Sequence, residues 1–407
     1  MGNRSKLVTQ KFITQSNIHF LFYLLLLTSY FLPLTSYLLL ITYSLLPKKM
    51  KIAIWGSYNY GNYGDDIMAV QFAKYLKSLN VEPVVYRLDK RLAQRYQIQT
   101  TESLNELLNN AEFCIIGGGG FLVENFSAPF EEDFRQLHKA SIEKNCPVYP
   151  ISIGGEGLGE NASLSYWRRE FFEGDMCQSC SVRLESDKAL FKNFGKQVFY
   201  YPDVLLSVSE FWKIPRQSKQ IHNNKKNQKK IINVGINIPN TLQCKLLAFQ
   251  ISIIASIRKD IIFHFIKTYL PSSSINSELR PKQLSSNIKY HVYSEPQSTL
   301  EFLATLDLVV SYKLHLGLTA LVLGVPFYSL GGSGKATAFL SSIGADFAVW
   351  KTVDKRFKVA AFLSNPENIL QAKNKFNFTI IDKLTVNSRG HLELLNQLVK
   401  NASSSFR

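Results

Sequence analysis

The stretch KIAIWGSYNYGNYGDD, residues 51–66, decides the fold. Ile52–Trp55 reads as a short buried strand, and the turn after it carries Gly56, Gly61 and Gly64. Glycine lets a backbone turn tightly and brings amide groups close to a ligand, and Asp65 or Asp66 is placed to cap the helix expected over Ile67–Leu79. The glycine spacing is not that of a dinucleotide fingerprint. A strand, a glycine turn and a helix in this order open a doubly wound α/β sheet, whose ligands bind at the carboxyl ends of the strands.

Outward from this unit the pattern repeats. Strands are expected at Pro83–Tyr86, Phe113–Ile116, Val148–Ile153 and Gln197–Tyr200, with helical stretches between them. Residues 213–230, KIPRQSKQIHNNKKNQKK, interrupt with polar, basic sequence that reads as a solvated linker. The alternation restarts at 231–237 and continues through 261–266, 290–293, 308–311 and 326–329. Alternating β and α units imply parallel sheets with crossover helices. The expected organisation is an N-terminal Rossmann-like domain over 50–212, the linker over 213–230, and a C-terminal Rossmann-like domain over 231–407, with a cleft between the domains.

The 407 residues carry 47 Lys and Arg against 31 Asp and Glu, a net charge of +16. The excess is local. Residues 1–51 hold six cations and 211–230 hold seven, with no acid in either, and elsewhere 34 cations face 31 acids. That distribution excludes a broad nucleic-acid-binding face. Residues 1–49 contain a predominantly apolar run over 20–46, long enough to cross a hydrocarbon core of ~30 Å. Two readings stay open: a single transmembrane helix, or an extension ahead of a protein that starts at Met50. Five cysteines make no disulfide framework, and the lone pair Cys177 and Cys180 reads as two reduced thiols. No cluster of ligating residues offers a metal site.

Three further stretches bear on chemistry. Gly117–Gly120 follows the expected strand over 113–116, and GGEGLG at 154–159 repeats the theme, so glycine loops are expected at the ends of successive strands. DLVVSYKLHLGLTA, residues 307–320, ends a strand and begins a helix with Lys313 and His315 at its start, where unpaired amides and the helix dipole favour anions. GGSGKA at 331–336 is not a P-loop, because Ser329 and Ala336 stand where that motif needs Gly and Ser or Thr; Lys335 remains as a second cation at a helix start.

From Lys51 to about Gly344 the chain resembles the polysaccharide pyruvyl transferase family. The resemblance rests on Gly61, Asn62, Gly64 and Asp65, on the glycine run, on Val182-Arg183 with Glu185-Ser186, on Pro202-Asp203, and above all on KLHLGLTALVLGVP at 313–326. The family usually has Arg where this chain has Lys313, which keeps the charge and loses the bidentate fork. The resemblance implies a GT-B-like pair of Rossmann domains and, as the reaction, movement of the enolpyruvyl unit of phosphoenolpyruvate onto sugar hydroxyls to form a pyruvate ketal, with no cofactor and no metal. It implies that His315, Lys313 and Arg183 carry the chemistry, His315 as general acid, while Gly61, Asn62, Gly64, Asp65, Gly118, Gly119, Gly120 and Lys335 contact substrates. Arg183 also has Glu185 as a simple surface partner, and Asp65 its capping role. The partners expected are phosphoenolpyruvate and a saccharide acceptor, lipid-linked or free, and the cytosolic supply of the donor implies catalytic domains that face the cytoplasm. A nucleotide-sugar glycosyltransferase uses the same fold and similar loops and is the alternative; a membrane-tethered binding protein without catalysis is a third reading, prompted by Lys313.

Overall fold

The computed structural model describes residues 49–124, 127–156, 163–217, 231–275, 277–282, 284–331, 334–350 and 356–405. The apolar run over 20–46, most of the basic linker, Gly157 and Gly159 lie outside them. Among the described residues no helix is long and apolar enough to cross a membrane.

The first sheet comprises β1 (Lys51–Trp55), β2 (Glu82–Tyr86), β3 (Gln99–Thr101), β4 (Phe113–Leu122), β5 (Val148–Gly155), β6 (Cys180–Val182) and β7 (Val198–Tyr200). Its order is β3-β2-β1-β4-β5-β6-β7, and every pairing is parallel. The second comprises β8 (Ile232–Asn237), β9 (Ile261–Lys267), β10 (Ile288–Val292), β11 (Leu308–Ser311), β12 (Phe327–Leu330) and β13 (Val349–Trp350), in the order β10-β9-β8-β11-β12-β13, again all parallel. Both sheets therefore have the Rossmann order. In each, the topology reverses beside the first strand, between β1 and β4 and between β8 and β11, which opens the crevice where such sheets bind ligands.

The glycine run departs from the expected loop. Gly117–Gly120 lies inside β4, which continues to Leu122 with a register shift between Gly119 and Leu122, and Gly154 and Gly155 end β5 as strand residues. Gly118 and Gly119 take φ of 78° and 110°, and a side chain on them would collide with Met68 and with the Phe121 ring. These glycines allow a bulged strand to run close under its covering helix, a packing role.

Apolar packing covers both faces of the first sheet. Ile54, Ile67 and Phe72 belong to one cluster that continues into Val234, Leu318 and Leu321 of the second lobe. The opposite face holds Trp55, Phe121, Phe134, Phe171 and Phe172, with Trp55 and Phe134 edge to face at 4.9 Å. Residues Met50–Arg407 form one compact unit. The last helix, Gly390–Ser405, does not stay with the second sheet as a domain over 231–407 would require. It packs on the first lobe, where His391 Nδ1 lies 2.8 Å from Ser181 Oγ and Gly390 sits against the Tyr201 ring.

Candidate active site

The segment after β1 is the hinge of the site. Asn62, not either aspartate, caps the helix Tyr63–Ser78, its Oδ1 accepting from the Gly64 amide at 3.5 Å. Asn62 Nδ2 donates to Asp65 Oδ2 at 2.8 Å, which aims that carboxylate into the cleft. Asp66 points the other way and is fully buried; Tyr293 of the second lobe donates its hydroxyl to Asp66 Oδ2 at 2.9 Å. Gly61–Tyr63 also pairs with Thr268–Leu270: the Tyr63 amide donates to the Thr268 carbonyl and the Leu270 amide to the Gly61 carbonyl, both at 2.8 Å. This strap ties the lobes together and separates two cavities.

The first cavity, about 280 Å³, is lined by Asn62, Gly64, Asp65, Gly120 and Arg183 from one lobe and by Lys313, His315 and Lys335 from the other. It thus gathers eight of the residues singled out in the sequence. Gly61 lines the second cavity, and Gly118 and Gly119 line neither. The second cavity, about 470 Å³, lies beyond the strap among Tyr60, Arg87, Lys90, Arg91 and Ser272.

Arg183 leaves β6 and runs over Gly154, where a side chain would stand 2.7 Å from its Cγ. Its partner is not Glu185. The guanidinium is buried and Nη1 donates to Asp203 Oδ2 at 2.9 Å, while the same nitrogen lies 2.9 Å from His315 Nε2. An arginine only donates, so His315 Nε2 is the acceptor and the ring carries its hydrogen on Nδ1. Burial pushes the imidazole down to about 3; Asp203 opposes that, and Arg183, Lys335 and Lys313 reinforce it. Burial alone would raise Asp203, yet Arg183, His315 and the Leu205 amide together hold its carboxyl below the usual range. Desolvation and three cations outweigh one carboxylate, so the shift runs against the imidazolium form that a general acid at His315 requires.

The cations of the second lobe are held differently. Lys313 stands at the N-cap position of the helix Leu314–Val322 without a side-chain capping bond, and its ammonium donates to the Tyr269 hydroxyl at 2.9 Å while lying over the Tyr269 and Tyr312 rings at 4.8 and 5.0 Å. Against the desolvation that lowers it, Tyr312, Tyr269 and Glu278 bring its pKa above the ordinary value, so it stays charged. Lys335, the second residue of the helix Gly334–Ser342, reaches across to the other lobe, its Nζ lying where a side chain on Gly120 would begin. Among the described residues it has no hydrogen-bond or ion-pair partner. Burial and Arg183 bring it down to about 8, with Glu156, Asp65 and Asp187 opposing. Asp65 is raised by burial despite Asn62, Lys313, Arg183 and Lys335.

The motif reading did not reach two groups. Asp203 was marked only by its Pro202-Asp203 signature, without a role. His391 had no signal at all, since it arrives from the last helix; it is buried beside Asp203, and burial brings it down to about 4. All five cysteines are free and buried, and among the described residues no group of His, Cys, Asp or Glu is arranged to hold a metal.

Two Rossmann-type lobes with an ionic cavity at their facing strand ends define a two-lobed α/β protein of GT-B-like arrangement. The family model for polysaccharide pyruvyl transferase matches residues 62–334, two thirds of the chain, and the chain belongs to that family. The match begins at the capping Asn62 and ends one residue before Lys335. Among solved structures, the chain is similar to the UDP-GlcNAc 2-epimerase from Neisseria meningitidis bound to UDP-GlcNAc, at 12% identity and a TM-score of 0.53, over 86% of this chain and 100% of that one. It is similar also to the UDP-GlcNAc 2-epimerase from Methanocaldococcus jannaschii, at 11% identity and 0.53, over 87% and 100%. At these identities the likeness is one of fold. No curated protein matches the chain in sequence.

Proposed function

We propose that the protein transfers the three-carbon unit of phosphoenolpyruvate to two hydroxyls of a saccharide, giving a pyruvate ketal and inorganic phosphate. The observation that carries this reading is the charge balance of the 280 Å³ cavity. Three cations, Arg183, Lys313 and Lys335, line it against one carboxylate, Asp65, whose pKa burial raises, while Arg183 is also paired with Asp203 outside the lining. The volume is at the small end for ligand pockets, which suits a compact trianion better than a nucleotide sugar. Two helix starts, those of Leu314–Val322 and Gly334–Ser342, add to the field that favours its phosphate and carboxylate.

Chemistry then follows from the protonation states. His315 is neutral and offers Nδ1–H as a hydrogen-bond donor, so the proton for the methylene carbon comes from Lys335, a labile ammonium without an acceptor among the described residues. In the first step the π electrons of phosphoenolpyruvate form the new C–H bond with a Lys335 proton, the first sugar oxygen bonds to C2, and its proton passes to Asp65. In the second the other hydroxyl bonds to C2 and the C2–O bond to phosphate breaks. The second hydroxyl proton returns to Lys335, and the phosphate leaves with the proton held by Asp65. The remaining sugars of the acceptor are assigned to the second cavity across the strap, whose guanidinium, carboxylate and tyrosine groups suit a polyhydroxylated ligand.

The test incubates the full chain with phosphoenolpyruvate and candidate saccharides in D₂O. Saccharide-dependent phosphate release, with one deuterium in the ketal methyl group and loss of turnover in Lys335→Met, supports the reading. Consumption of a nucleotide sugar with phosphoenolpyruvate untouched contradicts it.

A further inference from the structure

The helix Leu242–Ile257, between β8 and β9, is apolar on two opposite faces. One face buries Cys244, Leu247, Ala248, Ile251 and Ala255 against the second sheet. On the other, Leu242, Leu246, Phe249, Ile253 and Ile257 recur at the spacing of a single helical stripe and are 70%, 43%, 56%, 46% and 72% exposed. The stripe runs about 22 Å at 1.5 Å per residue. A helix apolar all round is normally buried, and a contiguous exposed stripe of large side chains marks an interaction surface. The neighbouring helix Arg356–Ser364 adds Phe357, itself 65% exposed.

Charge decides what covers it. The helix carries no acid, and the exposed cations Lys245, Lys259 and Lys358 on and beside it form no ion pair with a described carboxylate; Asp260 is engaged by Arg258 at 2.7 Å. In a two-fold pairing of two copies the stripe would meet itself, and these cations would meet like charges, with Asp260, already engaged by Arg258, as the acid beside them among the described residues. An apolar stripe of Leu, Ile and Phe rimmed by lysine matches a lipid headgroup boundary with anionic charge.

We infer that the outer face of the Leu242–Ile257 helix docks on an anionic lipid surface. This contact is separate from the cleft and does not depend on the donor. Because the native cysteines are all buried, Phe249→Cys in the full chain takes an environment-sensitive fluorophore at one place. The labelled protein is mixed with phosphatidylcholine vesicles, with and without about 30 mol % phosphatidylserine. The expected result is a blue-shifted, brighter emission with the anionic vesicles, weakened by salt. Adding Leu246→Ser and Ile253→Ser lowers partitioning about tenfold or more. Both sites are exposed, so the unfolding midpoint of the variant should stay close to that of the parent. The label sits on the helix itself, so vesicle capture through any other part of the chain leaves its emission unchanged. Unchanged emission with both vesicles overturns the inference. So does a shift that needs no vesicle, grows with protein concentration and accompanies a doubled mass, which makes a second copy the occupant.

Discussion

The two lobes contribute to one cavity in opposite ways. The N-terminal lobe supplies shape and a finished ion pair: Gly64, Gly120 and Gly154 clear space, and Arg183 is already matched by Asp203. The C-terminal lobe supplies what is unfinished. Lys313 rests on phenols, Lys335 has no partner among the described residues, and His315 is kept neutral by burial. Asp65 apart, one lobe is thus a frame already matched in charge, and the other carries charge in readiness for a ligand. The same substitution should therefore act on stability in the first lobe and on binding in the second.

The largest expected effect separates them directly. Arg183→Met leaves the buried Asp203 without its arginine partner and should lower unfolding stability by about 3–5 kcal/mol, whereas Lys335→Met removes an ammonium with no partner among the described residues and should change it by less than about 1 kcal/mol. Denaturant unfolding of both variants checks this, and equal losses would break the comparison. Next come the glycines. A Cβ on Gly64 would stand 2.1 Å from His315 Nδ1, packed between elements, so Gly64→Ala should cost about 1–3 kcal/mol. On Gly120 it would meet the end of the flexible Lys335, so Gly120→Ala should leave the unfolding midpoint nearly unchanged while weakening donor binding.

A third effect depends on pH. Burial places the folded His315 at about 3, below its ordinary 6.5. The unfolded chain therefore binds a proton below pH 6.5 that the folded chain refuses, so this contribution to stability is complete above pH 6.5 and falls with acidification. Relative to His315→Asn, the native chain should lose about 2 kcal/mol between pH 7 and pH 5. A difference that stays flat across that range would show that the imidazole is not held neutral. The smallest effect is that of Lys313→Arg, which restores the fork the family usually carries and should tighten phosphoenolpyruvate binding about fivefold or less, read by calorimetric titration.

Both Rossmann units were legible because a buried parallel strand writes itself as a short β-branched run between turn signals, as at 52–55 and 308–311. The short edge and near-edge strands Gln99–Thr101, Cys180–Val182 and Val349–Trp350 were not, since two or three residues carry no period. The glycine run was misplaced for a related reason: glycine signals a loop in sequence, yet here it serves a bulged strand. In the site, Lys313, His315, Lys335 and Asp65 were visible because each begins a helix after a strand. The Arg183–Asp203 pair spans 20 residues and two strands, and His391 comes from a helix that returns to the first lobe, so only the tertiary structure brings them together.

The most direct test of an unfinished C-terminal lobe completing itself on phosphoenolpyruvate is thermal unfolding of the full chain with phosphoenolpyruvate or UDP-GlcNAc, for the native protein and Lys335→Met. At ~100 times its dissociation constant a ligand adds about 2.7 kcal/mol of apparent stability. The account predicts that phosphoenolpyruvate alone raises the native midpoint and that Lys335→Met loses most of the rise. Stabilisation by UDP-GlcNAc alone, or an equal rise in both proteins with phosphoenolpyruvate, would contradict it.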